Sequence, residues 1–419
     1  MTEDQFSDEL EFLDDIVAAD DLTQDLKAPL LEIIRGIIQT NGDSISFEKF
    51  MGIALNYPDF GYYSKPDLKL GLDGDFETSP EVHPMYGGLW ARQLLECWTL
   101  LGAPSIFTFI ELGGGSGSFL LAILASLKKS SPDCMNALRV IMVDGSEHRL
   151  DQQRKKIELA HLDLEGRVEF WLLDDWLGRQ TPIEDSVLFA NEFFDALPVH
   201  LLEASDEPES IVSELQIVVD GRNQLAFQRS ALTDQAVIEH LDRLFLSGDV
   251  PTRVPIPGTR IEVSLAACEL MKRMSAKIAN GYMFISDYGY EAFDLYSSWR
   301  KSGTLMAFRG HNVQQNVLDL PGMTDLTTHV NFTALARAAE PPWVSDELIS
   351  QAEVLVSLGA FGLLNSQSEW AQRKPDRFLV ARKAIETLTD PNGLGRIRVR
   401  VMRRSVPVEK LLCQSEVLV

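Results

Sequence analysis

Five short apolar runs, each closing on an acid, constrain this chain more than any other feature. Thr108–Ile110 leads into Glu111, and Arg139–Asp144 ends on its own aspartate. Val168–Leu173 is followed by Asp174 and Asp175, Ser186–Ala190 by Asn191 and Glu192, and Gly281–Ser286 by Asp287. Stretches with helical composition, Leu120–Lys129, Ser146–Ala160 and Ser264–Ala279, fall between them. Short runs that alternate with helices predict βαβ units and a parallel sheet. Ligands of such a sheet bind outside the carboxyl ends of its strands, so these acids converge on one crevice. A single acid at a strand end is more often the cap of the next helix. Five together argue for a site.

The turn after the first run sharpens that site. In Glu111–Gly117 (ELGGGSG), the glycines Gly113, Gly115 and Gly117 permit conformations closed to other residues and let a ligand come close. A strand, a glycine turn and a helix in succession place that ligand on a helix N-terminus. Glu111 would repel a phosphate, and the turn holds no lysine, which excludes a P-loop. Position 118 is Ser118 where a dinucleotide fingerprint has its third glycine. An acid followed by this turn suits a ligand with a cationic amine and a ribose, which points to S-adenosylmethionine (SAM). A carboxylate at Asp144 suits the ribose hydroxyls. Asp174 or Asp175 suits the adenine amino group, with Trp176 packed on the ring.

Around this core the chain divides into an acidic arm (1–27), helices and a cofactor-covering loop (28–104), a core (105–198 and 258–419) and an insertion (199–257). Helices are expected over Ala28–Thr40, Ser44–Leu55 with Ser44 as the better start, and Met85–Leu101. The loop Asn56–Pro84 is long and aromatic, so it is expected to be ordered over a site. Within the insertion, Asp220–Asn223 between Ile211–Val219 and Leu225–Arg229 signals a β-hairpin. Tyr288–Asn331 reads as loop-rich, Ser345–Leu355 as a helix, and Arg377–Arg382 and Arg396–Arg403 as closing strands.

Charge limits the partners. The net charge of −24 disfavours non-specific binding to phosphate backbones, and no nucleic-acid partner is expected. Cys97, Cys134, Cys268 and Cys413 stand far apart with no CxxC pair, so no metal site or disulfide framework is expected. No apolar run approaches the roughly 18 residues that span a membrane. The first 25 residues carry ten acids and no Lys or Arg, the opposite of a secretory or transit signal, which predicts a cytoplasmic protein. The oligomeric state is left open, a dimer included.

Beyond these readings, several motifs resemble one family. They are Gly61–Tyr63 (GYY), Gly74–Glu81 (GDFETSPE), Glu111–Gly117, Ala190–His200 (ANEFFDALPVH), Asp287–Tyr290 (DYGY), Gly303–Leu305 (GTL) and Pro321–Phe332 (PGMTDLTTHVNF). Together they resemble the MidA-type SAM-dependent methyltransferases, which include mitochondrial complex I assembly factors of the protein arginine methyltransferase kind. The resemblance implies an α/β fold, a class I SAM-methyltransferase (Rossmann-like) sheet with an N-terminal helical and loop region and an inserted α+β segment. It assigns Gly113, Gly115, Gly117 and Asp144 to the cofactor and brings Thr78 and Ser79 near it. The chain departs from the family pattern at Gly114, Ser116 and Ser118 in the turn, and at Met306, Gly310 and Asn331 on the acceptor side.

For an arginine acceptor, carboxylates would hold the guanidinium, and Glu192, Asp195 and Asp287 are the candidates, with Asn191 able to pair with an amine or amide and to reach the cofactor. A hydroxyl or carboxyl acceptor, on a small molecule or a peptide, would need a base instead. His200, His311 in the divergent loop, and His329 are available for that role. Methyl transfer to a protein side chain is the leading expectation. A small-molecule acceptor and a non-catalytic assembly factor that keeps the fold are the alternatives.

Overall fold

The computed structural model describes residues 29–65, 78–160, 162, 164, 166–205, 212–245, 255–310, 312–366, 373–407 and 409–415. The acidic arm, the stretch 66–77 of the covering loop, and His311 lie outside the described residues.

Residues 29–40 form helix α1. A two-residue strand β1 (Ile45–Ser46) and helix α2 (Phe47–Asn56) follow. The expected start at Ser44 is corrected to Ser46, whose side chain accepts from the Lys49 N–H at 3.1 Å. Ser44 is drawn away because its hydroxyl donates to Gln216 Oε1 at 2.6 Å, across a strand pairing. After the covering loop come a single helical turn, α3 (Ser79–Val82), and the long α4 (Met85–Leu100).

The main sheet is the parallel array expected. β2 (Phe107–Leu112) lies between β3 (Leu138–Asp144) and β5 (Ser186–Asn191); β4 (Val168–Leu172) flanks β3, and β10 (Gly281–Asp287) flanks β5. Every residue of β2 and β10 is buried, as befits strands covered on both faces. Alternate side chains serve opposite layers: Phe107 and Phe109 join one core, and Ile110 and Leu112 the other. The first core is covered by α4, α5 (Ser118–Ser130), the short α6 (Pro132–Ala137) and α7 (Glu147–Leu159). The second is covered by α8 (Leu173–Leu177), α10 (Leu265–Ser275) and α12 (Phe332–Ala338). The chain leaves β2 toward β3 and β4 and returns to β5 on the other side. The sheet therefore has its topological switch point between β2 and β5.

A second, antiparallel sheet packs beside it. β6 (His200–Ala204), β7 (Val212–Val219) and β8 (Leu225–Ala231) follow one another, helix α9 (Gln235–Phe245) follows them, and β9 (Arg260–Val263) closes on β6. β7 and β8 are the two arms of the hairpin. This sheet draws on both flanks of residues 199–257, because β9 lies after them and β1 pairs with β7 through Ile45–Ile217 and Ser46–Gln216. Phe47, Phe50 and Met51 of α2 bury against Leu215 and Ile217 in a core of their own.

The C-terminal third departs most from expectation. The loop-rich stretch folds into β11 (Gly289–Tyr290), α11 (Ala292–Leu295), β12 (Met306–Arg309), β13 (Asn312–Val313), β14 (Asp325–Thr327) and β15 (Val330–Asn331). The expected helix from Ser345 is two short strands, β16 (Val344–Ser345) and β17 (Ile349–Ser350), and only then α13 (Gln351–Ser357). The helix cannot begin earlier, because a capping box of Ser350 and Glu353 fixes its start. After α14 (Ala360–Ser366), Arg377–Arg382 is not a strand. It lies in α15 (Pro375–Thr389), which starts with proline and buries Ala381, Ala384, Ile385 and Leu388 at helical spacing. The other closing strand stands: β18 (Arg398–Arg404) runs antiparallel to β10, pairing Arg398 with Asp287.

Candidate active site

At the switch point β2 gives way to a left-handed turn. Gly113, Gly115 and Gly117 have φ of +64°, +52° and +78°, a region strained for residues with side chains. The Gly113 N–H donates to the Val143 carbonyl at 2.8 Å and the Gly117 N–H to the Gly114 carbonyl at 2.7 Å. A Cβ on Gly113 would also meet the ring of Phe193, so both the conformation and the space require glycine there.

Two carboxylates stand behind the turn. Asp144 accepts from the Ser146 N–H and from Gln153 Nε2, each at 3.1 Å, and Gln153 Nε2 also reaches the Gly115 carbonyl at 3.1 Å. Burial raises the Asp144 carboxyl, with Arg149 and these bonds opposing the rise. Glu111 is buried more harshly: Oε2 has no hydrogen-bond partner among the described residues. Burial, then the neighbouring Asp144, pushes it up to about 8. An orphaned, buried acceptor beside a glycine cradle fits a ligand that brings a cationic amine and hydroxyl donors, as SAM does.

The covering segment is tied down over this crevice. The Ser79 N–H donates to Glu192 Oε1 at 3.0 Å, and its hydroxyl to Gln351 Oε1 at 2.9 Å. Thr78 occupies the N-cap position of α3 without a side-chain cap bond. Glu81 accepts from the hydroxyls of Ser116 and Ser118 at 2.5 and 3.3 Å, and Lys156 Nζ donates to the same two hydroxyls at 2.9 and 2.8 Å. The divergent serines of the turn thus join α3, the turn and α7. Gln153, Lys156 and Gln351 escaped the sequence reading because each is one polar residue on an otherwise ordinary helix.

Across the switch point lie the acids of β5 and β10. Asn191 accepts from the Tyr86 hydroxyl at 2.7 Å and donates to Glu192 Oε1 at 2.9 Å. Glu192 holds φ +47°, a strained value for a side-chain-bearing residue, of the kind that gathers at functional sites. Its Oε2 is buried without a partner among the described residues. Burial, with Asp195 adding charge, pushes Glu192 up to about 8. Asp195 is raised by burial and by Asp287 and Asp325, and Tyr63 donates its hydroxyl to Asp325 Oδ1 at 2.8 Å.

Asp287 needs correction as a substrate-holding group. Its Oδ2 accepts from the N–H groups of Phe193, Phe194 and Asp195 at 3.0, 2.8 and 3.3 Å, and its Oδ1 from that of Tyr288 at 2.8 Å. Both oxygens are engaged in shaping the turn that presents Glu192 and Asp195. Trp176 is also corrected: it is fully buried in the second core with Ile141 and Leu177, because an indole after β4 gains more by packing there than at an open rim. Asp174 and Asp175 are exposed in the first turn of α8. Among the histidines, His200 bonds Glu214 Oε1 at 3.0 Å inside the second sheet. His329 is lowered to about 4 by burial and by Arg396 and Arg300.

A model of the family described as "Putative S-adenosyl-L-methionine-dependent methyltransferase" matches residues 89–345, which contain the turn and the acids from Glu111 to Asp325. The chain belongs to that family. SAM is accordingly the cofactor of this methyltransferase. Its relatives include the Drosophila melanogaster "Protein arginine methyltransferase NDUFAF7 homolog, mitochondrial", 28% identical over 87% of this chain and 82% of that one. The human "Protein arginine methyltransferase NDUFAF7, mitochondrial" is 26% identical over 79% and 73%. Among solved structures, a COG1565 superfamily member from Burkholderia thailandensis bound to S-adenosyl-homocysteine superposes with a TM-score of 0.81. It is 24% identical and covers 93% of this chain and 95% of that one. This likeness shows the class I fold. The cytoplasmic expectation does not stand, since the curated relatives of the methyltransferase are named mitochondrial.

Proposed function

We propose that the methyltransferase transfers the methyl group of SAM to a guanidinium nitrogen of a protein arginine. The observation that carries the reading is a trio of desolvated carboxylates, Glu192 with its buried Oε2, Asp195 and Asp287, with no cation bonded to any of them among the described residues. Desolvated acids raise one another's affinity for protons until a cation replaces those protons. A guanidinium is such a cation, and Glu192 Oε2 is the open acceptor for it. The names of the fly and human relatives support the same acceptor, and they favour a mitochondrial location.

On this reading Glu111 would receive the amine of SAM, Asp144 its ribose hydroxyls, and the Gly113–Gly117 turn its close approach, with Thr78, Ser79 and Asn191 beside it. Exposed Asp174 or Asp175 remains free to meet the adenine amino group. When bound, SAM supplies an electrophilic methyl group together with its own leaving group. The chain's part is to align the acceptor and exclude water. Glu192 and Asp195 orient the guanidinium, and Asp287 fixes the turn that carries them. Methylation of a guanidinium nitrogen releases one proton, and Glu192, poised near 8, is suited to take it.

The test is mass spectrometry of arginine-containing proteins incubated with the enzyme and methyl-labelled SAM. Methylarginine is expected, and Glu192→Gln is expected to lower its formation roughly 100-fold or more while S-adenosylhomocysteine still binds. Label found only on a carboxyl, hydroxyl or small molecule would sink the arginine reading.

A further inference from the structure

Beside the acids stands a cluster of opposite character. Tyr288 and Tyr290 directly follow β10, and the His329 ring lies 6.4 Å from Tyr288 and 5.5 Å from Tyr290. Three guanidiniums cover these rings: Arg300 at 3.7 Å and Arg398 at 5.8 Å from Tyr290, and Arg396 at 5.4 Å from Tyr288. Among the described residues, none of the three donates to a carboxylate. Arg300 bonds the Asp294 carbonyl and Ser297 Oγ. Glu353 feels the charge of Arg398, but its carboxylate is bound into the capping box at Ser350. In a chain with 62 acids and 38 Lys and Arg, three guanidiniums gathered over two neighbouring tyrosines form a cationic cluster.

The cluster sits at the crevice. Arg398 is the cross-strand partner of Asp287, and Tyr288 is close enough to Glu192 and Asp195 for both to raise its hydroxyl. His329, held neutral near 4, fills the gap between the tyrosines without adding a fourth positive charge. Arg396 is exposed, and so is the Trp299 indole next to Arg300, at 66%. Cations held over aromatic rings, with an exposed indole next in sequence to one of them, offer a bound chain both charge and an apolar platform.

We propose that this rim receives an acidic peptide segment, so that the methylated residue is one flanked by carboxylate side chains. The proposal rests on the protein-acceptor reading above. The deep end of the crevice, lined by Glu192 and Asp195, takes the cationic side chain. The rim of Arg300, Arg396 and Arg398 takes the acids beside it. An acceptor with the reverse pattern, an arginine among lysines, meets like charge at the rim.

The experiment measures binding of two labelled peptides of equal length, each with one central arginine, to the full-length protein saturated with S-adenosylhomocysteine. One peptide carries flanking glutamates and the other flanking lysines. The glutamate peptide is expected to bind about ten-fold more tightly at low salt, and the gap is expected to close in about 0.5 M salt. Arg396→Gln with Arg398→Gln should remove most of the gap while leaving S-adenosylhomocysteine affinity unchanged. Arg396→Gln alone, at an exposed position, serves if the double variant does not fold. Equal affinities, a gap untouched by these substitutions, or inorganic phosphate displacing the glutamate peptide at a similar concentration would overturn the rim. The same peptides with the central arginine replaced by glutamine, together with a methylation assay, separate the two readings. Flank preference without any methylarginine means that the arginine reading fails and the rim stands. Methylarginine without flank preference means the reverse.

Discussion

Glu192 has a consequence in pH. With its carboxyl raised to about 8 by burial, it is mostly neutral at pH 7 in the free enzyme and cannot grip a cation. The ionised form becomes available as pH rises, so kcat/KM for the acceptor should climb through about 8 and level above it. The limb reports the carboxylate cluster as a whole, since Asp287 is itself raised to about 7. Glu192→Gln should flatten it, and a profile independent of pH between 6.5 and 9 in the unsubstituted enzyme would contradict the assignment. Asp287 makes a different prediction. Replacing it by asparagine turns an amide N–H₂ toward backbone N–H donors that now find an oxygen. Chemical denaturation should show a loss of about 1–3 kcal/mol. Gly113→Ala meets both a positive φ and the Phe193 ring, so it should abolish S-adenosylhomocysteine binding in calorimetry while the protein stays folded.

At the scale of elements, the parallel strands were legible because a strand buried on both faces needs an unbroken apolar run, and each such run ended in an acid. Two-residue strands such as β1, β16 and β17 leave no period to read, and tertiary pairing alone makes them. The Arg377–Arg382 stretch was ambiguous for a related reason: six residues with a central apolar core fit strand and helix alike, and Pro375 together with the later Ala384 and Leu388 decides it. The donor half of the site was visible from Glu111, Asp144 and the glycines. Tyr86 and Gln351 were not, because their roles come from contacts between elements far apart in the chain. α3 supplies the element-scale prediction. Its Glu81 joins the serines of the glycine turn, so Glu81→Gln should loosen the covering segment. Cofactor affinity should fall about 3- to 10-fold in a calorimetric titration, with the unfolding midpoint little changed.

At the scale of the molecule, the two sheets divide the labour: the parallel one carries the crevice, and the antiparallel one anchors the N-terminal helices. Replacing residues 205–258 by a short linker would strip α2 of Leu215 and Ile217. Limited proteolysis should then cut within 29–56, a region expected to resist cleavage in the intact protein. The pairing of β1 with β7 also bears on how the chain is made. Ser44 and Gln216 bond across 172 positions of sequence. At translation rates of roughly 5–20 residues per second, Phe47, Phe50 and Met51 leave the ribosome about 10–30 s before Leu215 and Ile217 exist. During synthesis this apolar face has only α1 and its immediate neighbours to fold against, which makes the nascent N-terminal segment a client for a chaperone until the hairpin emerges.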